Sequence, residues 1–213
     1  MSAYRRKRRL NHNVVLGCIA LALIVLNIAL FLRRDEKDLP AAGVALPAYA
    51  EQDYLPLNPY SRPGTPLEHI RGVVIHYVGN PNTSAAANRS YFSSLALTGE
   101  TYASSHFIVG LEGEVLACVP LTEVAYASNS RNEDTVSIEV CHPDETGAFS
   151  SQTYERLTEL TAWLCSTFEL DPAEDVIRHY DVTGKVCPKF YVENPEAWEA
   201  LKADVARKTE PAA

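Results

Sequence analysis

The chain lacks basic charge where a nucleic-acid partner would require it. Seven of its 19 Lys and Arg residues stand before position 35, and all 27 Asp and Glu residues stand from position 35 onward. Residues 35–213 therefore carry 12 basic against 27 acidic side chains, a balance of −15. Phosphate binding needs basic patches, so so acidic a body excludes DNA and RNA as the expected partner. Cysteine is scarce and odd in number, five in all, which excludes a fully paired disulfide framework. No internal repeat and no low-complexity tract occurs. At 213 residues and 46% apolar composition, the chain is long enough for one domain with its own core plus an appendage.

The appendage is N-terminal. Residues 14–32, VVLGCIALALIVLNIALFL, hold no charge and one polar side chain, Asn27. As a helix this run reaches about 28 Å, close to the roughly 30 Å of a bilayer's hydrocarbon core. A cleaved signal peptide would be shorter and end on small residues, whereas Phe31-Leu32-Arg33-Arg34 follows here. Val15-Leu16-Gly17-Cys18 stands too early in the run for a lipoprotein cleavage box. The expectation is an uncleaved anchor over 14–32. Five basic residues precede it, which places the tail 1–13 in the cytoplasm and the acidic body outside the cell membrane. Residues 33–50 read as a linker and 51–213 as the folded domain.

Within the body, RGVVIHYV (71–78) is an apolar, β-branched run expected to form a buried strand. Residues 83–97 favour a helix capped by Thr83 or Ser84. ASSHFIVG and EVLACVP flank a glycine turn and predict a hairpin. TVSIEVC (135–141) alternates Val136, Ile138 and Val140 against Thr135, Ser137 and Glu139, the period of a strand. Leu157, Leu160, Leu164 and Phe168 form one stripe on a helix over about 151–169. Asn194-Pro195-Glu196 opens a last helix with Trp198, Leu201 and Val205 on its buried face. This mixture predicts an α/β domain with a central mixed β-sheet packed by helices.

The chemistry concentrates in RHYDVTGKVCPKF (178–190). His179 and Cys187 are zinc-type ligands, and a loop punctuated by Gly184 and Pro188 can turn both toward one point. His76 is the third candidate, a histidine set in an otherwise apolar strand. Three protein ligands leave a fourth zinc position for water, the arrangement of a catalytic site. Glu139, an acid on a core-forming strand, is the candidate base, and Lys185 the candidate cation for a developing oxyanion. His12, His69 and His142 have plainer readings in the tail, before a strand and in a turn. Two other readings stay open. Cys187 is a nucleophile with a histidine base and no metal. Or the domain binds without cutting. Among Cys118, Cys141 and Cys165, a Cys141–Cys165 disulfide competes with apolar core thiols.

IHY at 75–77, SSHFIV at 104–109, TVSIEV at 135–140 and RHYDVTGKVCP at 178–188 together resemble the zinc-dependent N-acetylmuramoyl-L-alanine amidases. That family shares its fold with phage lysozyme-type amidases and peptidoglycan-recognition proteins. The resemblance covers about residues 54–200, and the His-Lys-Cys-Pro spacing of the last motif is its specific part. It implies that His76, His179 and Cys187 bind zinc, that Glu139 activates water and that Lys185 stabilises the tetrahedral intermediate. It further implies peptidoglycan as substrate, cut at the amide joining N-acetylmuramic acid to the L-alanine of the stem peptide. Tyr77, Ser105 and Asn132 are the expected substrate contacts, and a monomer is expected. Two positions depart from some members of the family: Ser105 where they carry tyrosine, and Ala127 where they carry histidine.

Overall fold

The computed structural model describes residues 40–209. The expected anchor, residues 14–32, lies outside them, and among the described residues no helix is long and apolar enough to cross a membrane. Six strands form one sheet: β1 (Ala50–Gln52), β2 (Val73–Ile75), β3 (Phe107–Val109), β4 (Val115–Ala117), β5 (Val136–Val140) and β6 (Val176–Arg178). Their order across the sheet is β1-β4-β3-β5-β2-β6. Only the β3–β4 hairpin is antiparallel, so the sheet is mixed, as the sequence predicts. Among the described residues five α-helices accompany it: α1 (Ala85–Thr98), α2 (Ser151–Phe168), α3 (His179–Thr183), α4 (Lys189–Glu193) and α5 (Pro195–Thr209).

Strand alternation sorts the core into two layers. Val73 and Ile75, Phe107 and Val109, and Val136, Ile138 and Val140 all face one cluster. There they meet Leu157, Leu160 and Leu164 of α2 and Trp198, Leu201 and Val205 of α5, the stripes expected from the sequence. Full burial of each such leucine or valine stabilises the fold by roughly 1.5–3 kcal/mol. The residues between them on the strands face the other way. Ile108, Leu116, Cys118 and Cys141 join Ala85 and Phe92 of α1 in a smaller cluster. By the same alternation His76 and Glu139 belong to this second face. The polar face read on β5 is thus not solvated: Ser137 is buried and Glu139 nearly so.

Caps fix the helix ends. Ser84, one of the two expected caps, accepts from the Ala87 amide at the start of α1, and Ser150 accepts from the Thr153 amide at the start of α2. α1 stops at Gly99, whose φ of 61° suits glycine.

Two expectations are corrected. The segment 33–50 is not a linker throughout: Ala41 is buried in the main cluster, Val44, Leu46 and Tyr49 pack against it, and Ala50 opens edge strand β1 beside β4. Residues 39–50, LPAAGVALPAYA, are almost all apolar or small and are broken by two prolines, so no strand or helix period stands out and the sequence hides their burial. The Cys141–Cys165 disulfide is absent. Cys141 packs with α1 in the smaller cluster and Cys165 in the main cluster, and all four described cysteines are free, buried thiols.

Candidate active site

Register builds the site. Ile75 of β2 lies opposite Ile138 of β5 and Arg178 of β6 in three adjacent parallel strands. The next residues are His76, just past the end of β2, Glu139, within β5, and His179, just past the end of β6. One row past the aligned triad therefore holds two imidazoles and a carboxylate, at the carboxyl ends of parallel strands where α/β sheets place their ligands. The ladder continues into this row, because the His76 amide donates to the Ile138 carbonyl at 2.9 Å.

The loop after β6 supplies the rest. His179 starts the short helix α3, where Asp181 accepts from the Arg178 amide at 2.9 Å and pairs with its guanidinium. Gly184 ends α3 at φ 76°, turning the chain back. The Tyr180 amide then donates to the Cys187 carbonyl at 2.9 Å, tying the two ends of the loop together. Eight positions of sequence thus close into one point.

The resulting geometry is tight. The His76 and His179 ring centroids are 4.6 Å apart. Cys187 Sγ lies 3.9 Å from His76 Nδ1, and Glu139 Oε1 lies 4.0 Å from the same nitrogen. One ligand atom from each of His76, His179 and Cys187 falls within 4.8 Å of the others. His76 Nε2 meets Ser128 Oγ at 3.1 Å, and His179 Nε2 meets Asn129 Oδ1 at 3.0 Å. His179 Nδ1 and Glu139 Oε2 are buried without a hydrogen-bond partner.

These residues fit a soft divalent cation such as zinc. Two nitrogens and a sulfur are its preferred donors. Orphaned buried polar atoms cost free energy unless something meets them, and His179 Nδ1 is one. Burial holds His76 well below its ordinary pKa, helped by the neighbouring His179 and Lys185, and lowers His179 likewise. Both imidazoles are thus neutral, the form a metal takes. Burial pushes the Glu139 carboxyl up to about 8, with the Lys185 ammonium pulling it back. It also pushes the Cys187 thiol up to about 12, so with its nearest ring nitrogen at 3.9 Å this thiol is poorly placed as a free nucleophile.

The cluster floors a cleft of about 540 Å³. Tyr77 and Lys185 line it, as do Tyr102, Ser104, Tyr126 and Ala127. Tyr77 packs against His142, with ring centroids 5.0 Å apart. The other two expected substrate contacts lie elsewhere. Ser105 is fully buried and donates to the Phe107 carbonyl at 2.8 Å, while its neighbour Ser104 faces the cleft. Asn132 stands behind the wall, its Oδ1 accepting from the amides of Ala127 and Ser128 at 3.1 and 2.6 Å. Sequence reasoning passed over Tyr102, Tyr126, Ser128 and Asn129. Nothing in their spacing marks them, since Tyr, Ser and Asn are ordinary loop residues.

Fold and site together define a mixed α/β domain with a buried His-His-Cys cluster and a carboxylate at the ends of parallel strands. Residues 66–190 match the family model of N-acetylmuramoyl-L-alanine amidases. The chain belongs to that family. It is 34% identical over 175 residues to the N-acetylmuramoyl-L-alanine amidase BlyA of Bacillus subtilis, covering 73% of this chain and 46% of BlyA. It is 32% identical over 156 residues to the amidase CwlL of Bacillus licheniformis, covering 67% of this chain and 42% of CwlL. The chain thus spans about half the length of the curated relatives it matches. Among solved structures, the catalytic domain of XlyA superposes with a TM-score of 0.62 at 23% identity, over 73% of this chain and 98% of that domain. The PlyG catalytic domain gives 0.62 at 19% identity, over 76% and 99%. At those identities the likeness establishes the fold.

Proposed function

We propose that this chain is a peptidoglycan hydrolase, a zinc-dependent N-acetylmuramoyl-L-alanine amidase, acting outside the cell membrane that anchors it. The observation that carries the reading is the convergence of His76, His179 and Cys187 donor atoms within 4.8 Å, with Glu139 beside them. Residues 14–32 serve as the anchor, with the basic tail 1–13 cytoplasmic and the acidic domain facing the wall as a monomer.

His76 Nδ1, His179 Nδ1 and Cys187 Sγ would hold the ion. When bound, zinc supplies Lewis acidity, making water more acidic and a carbonyl more electrophilic. The positive charge held by His76, His179 and Cys187, added to that of Lys185, would return the Glu139 carboxyl to its ionised form, and it then takes a proton from the attacking water on a carboxylate oxygen and later returns it to the departing nitrogen of L-alanine. Lys185, at the cleft rim, offsets the negative charge that develops on the carbonyl oxygen. Water adds across the amide, leaving the lactyl carboxylate on the sugar and a free amino group on the peptide. The walls formed by Tyr77, Tyr102 and Tyr126 orient the substrate and exclude bulk water.

The test pairs metal content with product analysis on the full-length chain in detergent and on Cys187→Ala. The expected wild type carries about one zinc per chain and frees stem peptides with new L-alanine amino termini on purified peptidoglycan. The variant does neither. Zinc uptake without product would turn the reading to a binding module. Activity that survives a chelator would turn it to a cysteine nucleophile.

A further inference from the structure

We infer that Ser128 and Asn129 are the positioning residues of the site: this consecutive pair holds both histidines as Nε2–H tautomers, so each presents its Nδ1 lone pair to one cation. The inference rests on the metal reading above and deepens it. His76 and His179 follow the adjacent strands β2 and β6, yet their outer nitrogens end on neighbouring residues of a single turn. His76 Nε2 reaches Ser128 Oγ at 3.1 Å, and His179 Nε2 reaches Asn129 Oδ1 at 3.0 Å. The inner nitrogens are the ones left for a ligand. His179 Nδ1 is buried and unpartnered, and His76 Nδ1 faces Cys187 Sγ at 3.9 Å. A metal-bound imidazole needs its other nitrogen protonated and held, because that hydrogen bond fixes both the ring's tautomer and its direction.

The turn is built to hold still. Ser128 is buried, and Asn132 Oδ1 grips the amides of Ala127 and Ser128. The Arg131 amide donates to the Ser128 carbonyl at 2.9 Å, and the Thr135 hydroxyl donates to the Arg131 carbonyl at 2.5 Å. Asn129 has φ 52°, a left-handed backbone that asparagine tolerates better than most residues. One residue type thus meets two demands, the backbone of the turn and an acceptor for the imidazole N–H. Asn132, placed by sequence among the substrate contacts, acts one layer further out, on the turn itself.

Asn129→Gly keeps the left-handed backbone and removes the acceptor, Asn129→Asp keeps an acceptor, and Ser128→Ala removes the other partner. In the full-length chain, nitrogen-15 spectra of the metal-free histidine rings report the tautomers. Competition with a chromogenic chelator reports zinc Kd, and urea unfolding of the metal-free protein reports stability. Wild type should show Nε2–H on both rings. Asn129→Gly and Ser128→Ala should each raise the zinc Kd by about 10- to 100-fold, and Asn129→Asp should stay within a few-fold of wild type. A purely structural role would lower metal-free stability and leave the Kd of the folded protein unchanged. Nδ1–H tautomers in wild type, or a wild-type Kd in Asn129→Gly, overturn the positioning role alone. Wild type with Nε2–H tautomers that takes up no zinc overturns the metal reading, and the positioning role with it.

Discussion

His106 shows how a buried histidine outside the His-His-Cys cluster makes the fold sensitive to acid. It is fully buried on β3's approach, one residue before Phe107. Its Nδ1 accepts from the Ser137 amide at 3.0 Å, so the proton of the neutral ring sits on Nε2, which donates to the Glu123 carbonyl at 3.0 Å. Protonating Nδ1 would break the first bond and bury a charge. Burial accordingly lowers the pKa from 6.5 to about 4, with the Glu123 carbonyl pulling the other way. The unfolded chain binds a proton near pH 6.5 and the folded chain does not until about pH 4. Stability from this group is therefore complete above pH 6.5 and is lost as pH falls toward 4. The full linkage is worth roughly 3 kcal/mol, of which about 2 kcal/mol is lost between pH 7.5 and pH 5. Urea unfolding of the full-length chain with chelator present, at those two pH values, measures the loss. His106→Gln cannot titrate and should lose about 2 kcal/mol less over the same interval, although it starts less stable. Comparing the two chains cancels the contribution of His76 and His179. Equal pH slopes in wild type and variant would refute the depressed pKa and the tautomer argument behind it.

Three further outcomes are expected. Glu139→Gln should keep its zinc and its fold while losing amidase turnover by about 100-fold or more, read from peptide release with metal content measured on the same sample. Gly72→Ala should destabilise the domain by about 1–3 kcal/mol in urea, because its Cβ would stand 2.8 Å from the Asp175 carbonyl, which accepts from the Val73 amide where β2 meets β6. Ser105→Ala should cost about 1 kcal/mol for its lost bond to the Phe107 carbonyl and leave kcat/KM unchanged; a selective fall in kcat/KM would return Ser105 to the substrate site.

Local pattern carried much of the fold. The 151–169 stripe, the Ser84 cap, the glycine-turn hairpin and the Asn194-Pro195-Glu196 start each depend on neighbours a few positions apart, and each stands where the sequence places it. What depended on distant partners did not show. Edge strand β1 has three residues and exists because β4 pairs with it. Ala41 is buried because the main cluster needs covering, and alanine in a proline-rich stretch gives no period to read. Cys141 and Cys165 look pairable along the chain, and only the sheet between their clusters separates them.

The site divides along the same line. His76, Glu139, His179 and Cys187 were legible because unusual residue types stood in apolar strands or at motif spacing, where a bland explanation is costly. Their convergence needed the strand register, in which one row of three parallel strands carries all but the cysteine. Ser105 and Ser104 differ by a single position just ahead of β3, and one is buried on the Phe107 carbonyl while the other lines the cleft. A sequence that locates a hairpin without fixing its first paired residue cannot choose between them. Ser128 and Asn129 lie deeper still. Their significance comes from two hydrogen bonds to histidines 52 and 50 positions away, and no property of the pair itself announces it. Donor atoms are therefore readable by their chemistry, whereas the groups that aim them are readable only by contact, and the Ser128–Asn129 turn is where those two kinds of information meet.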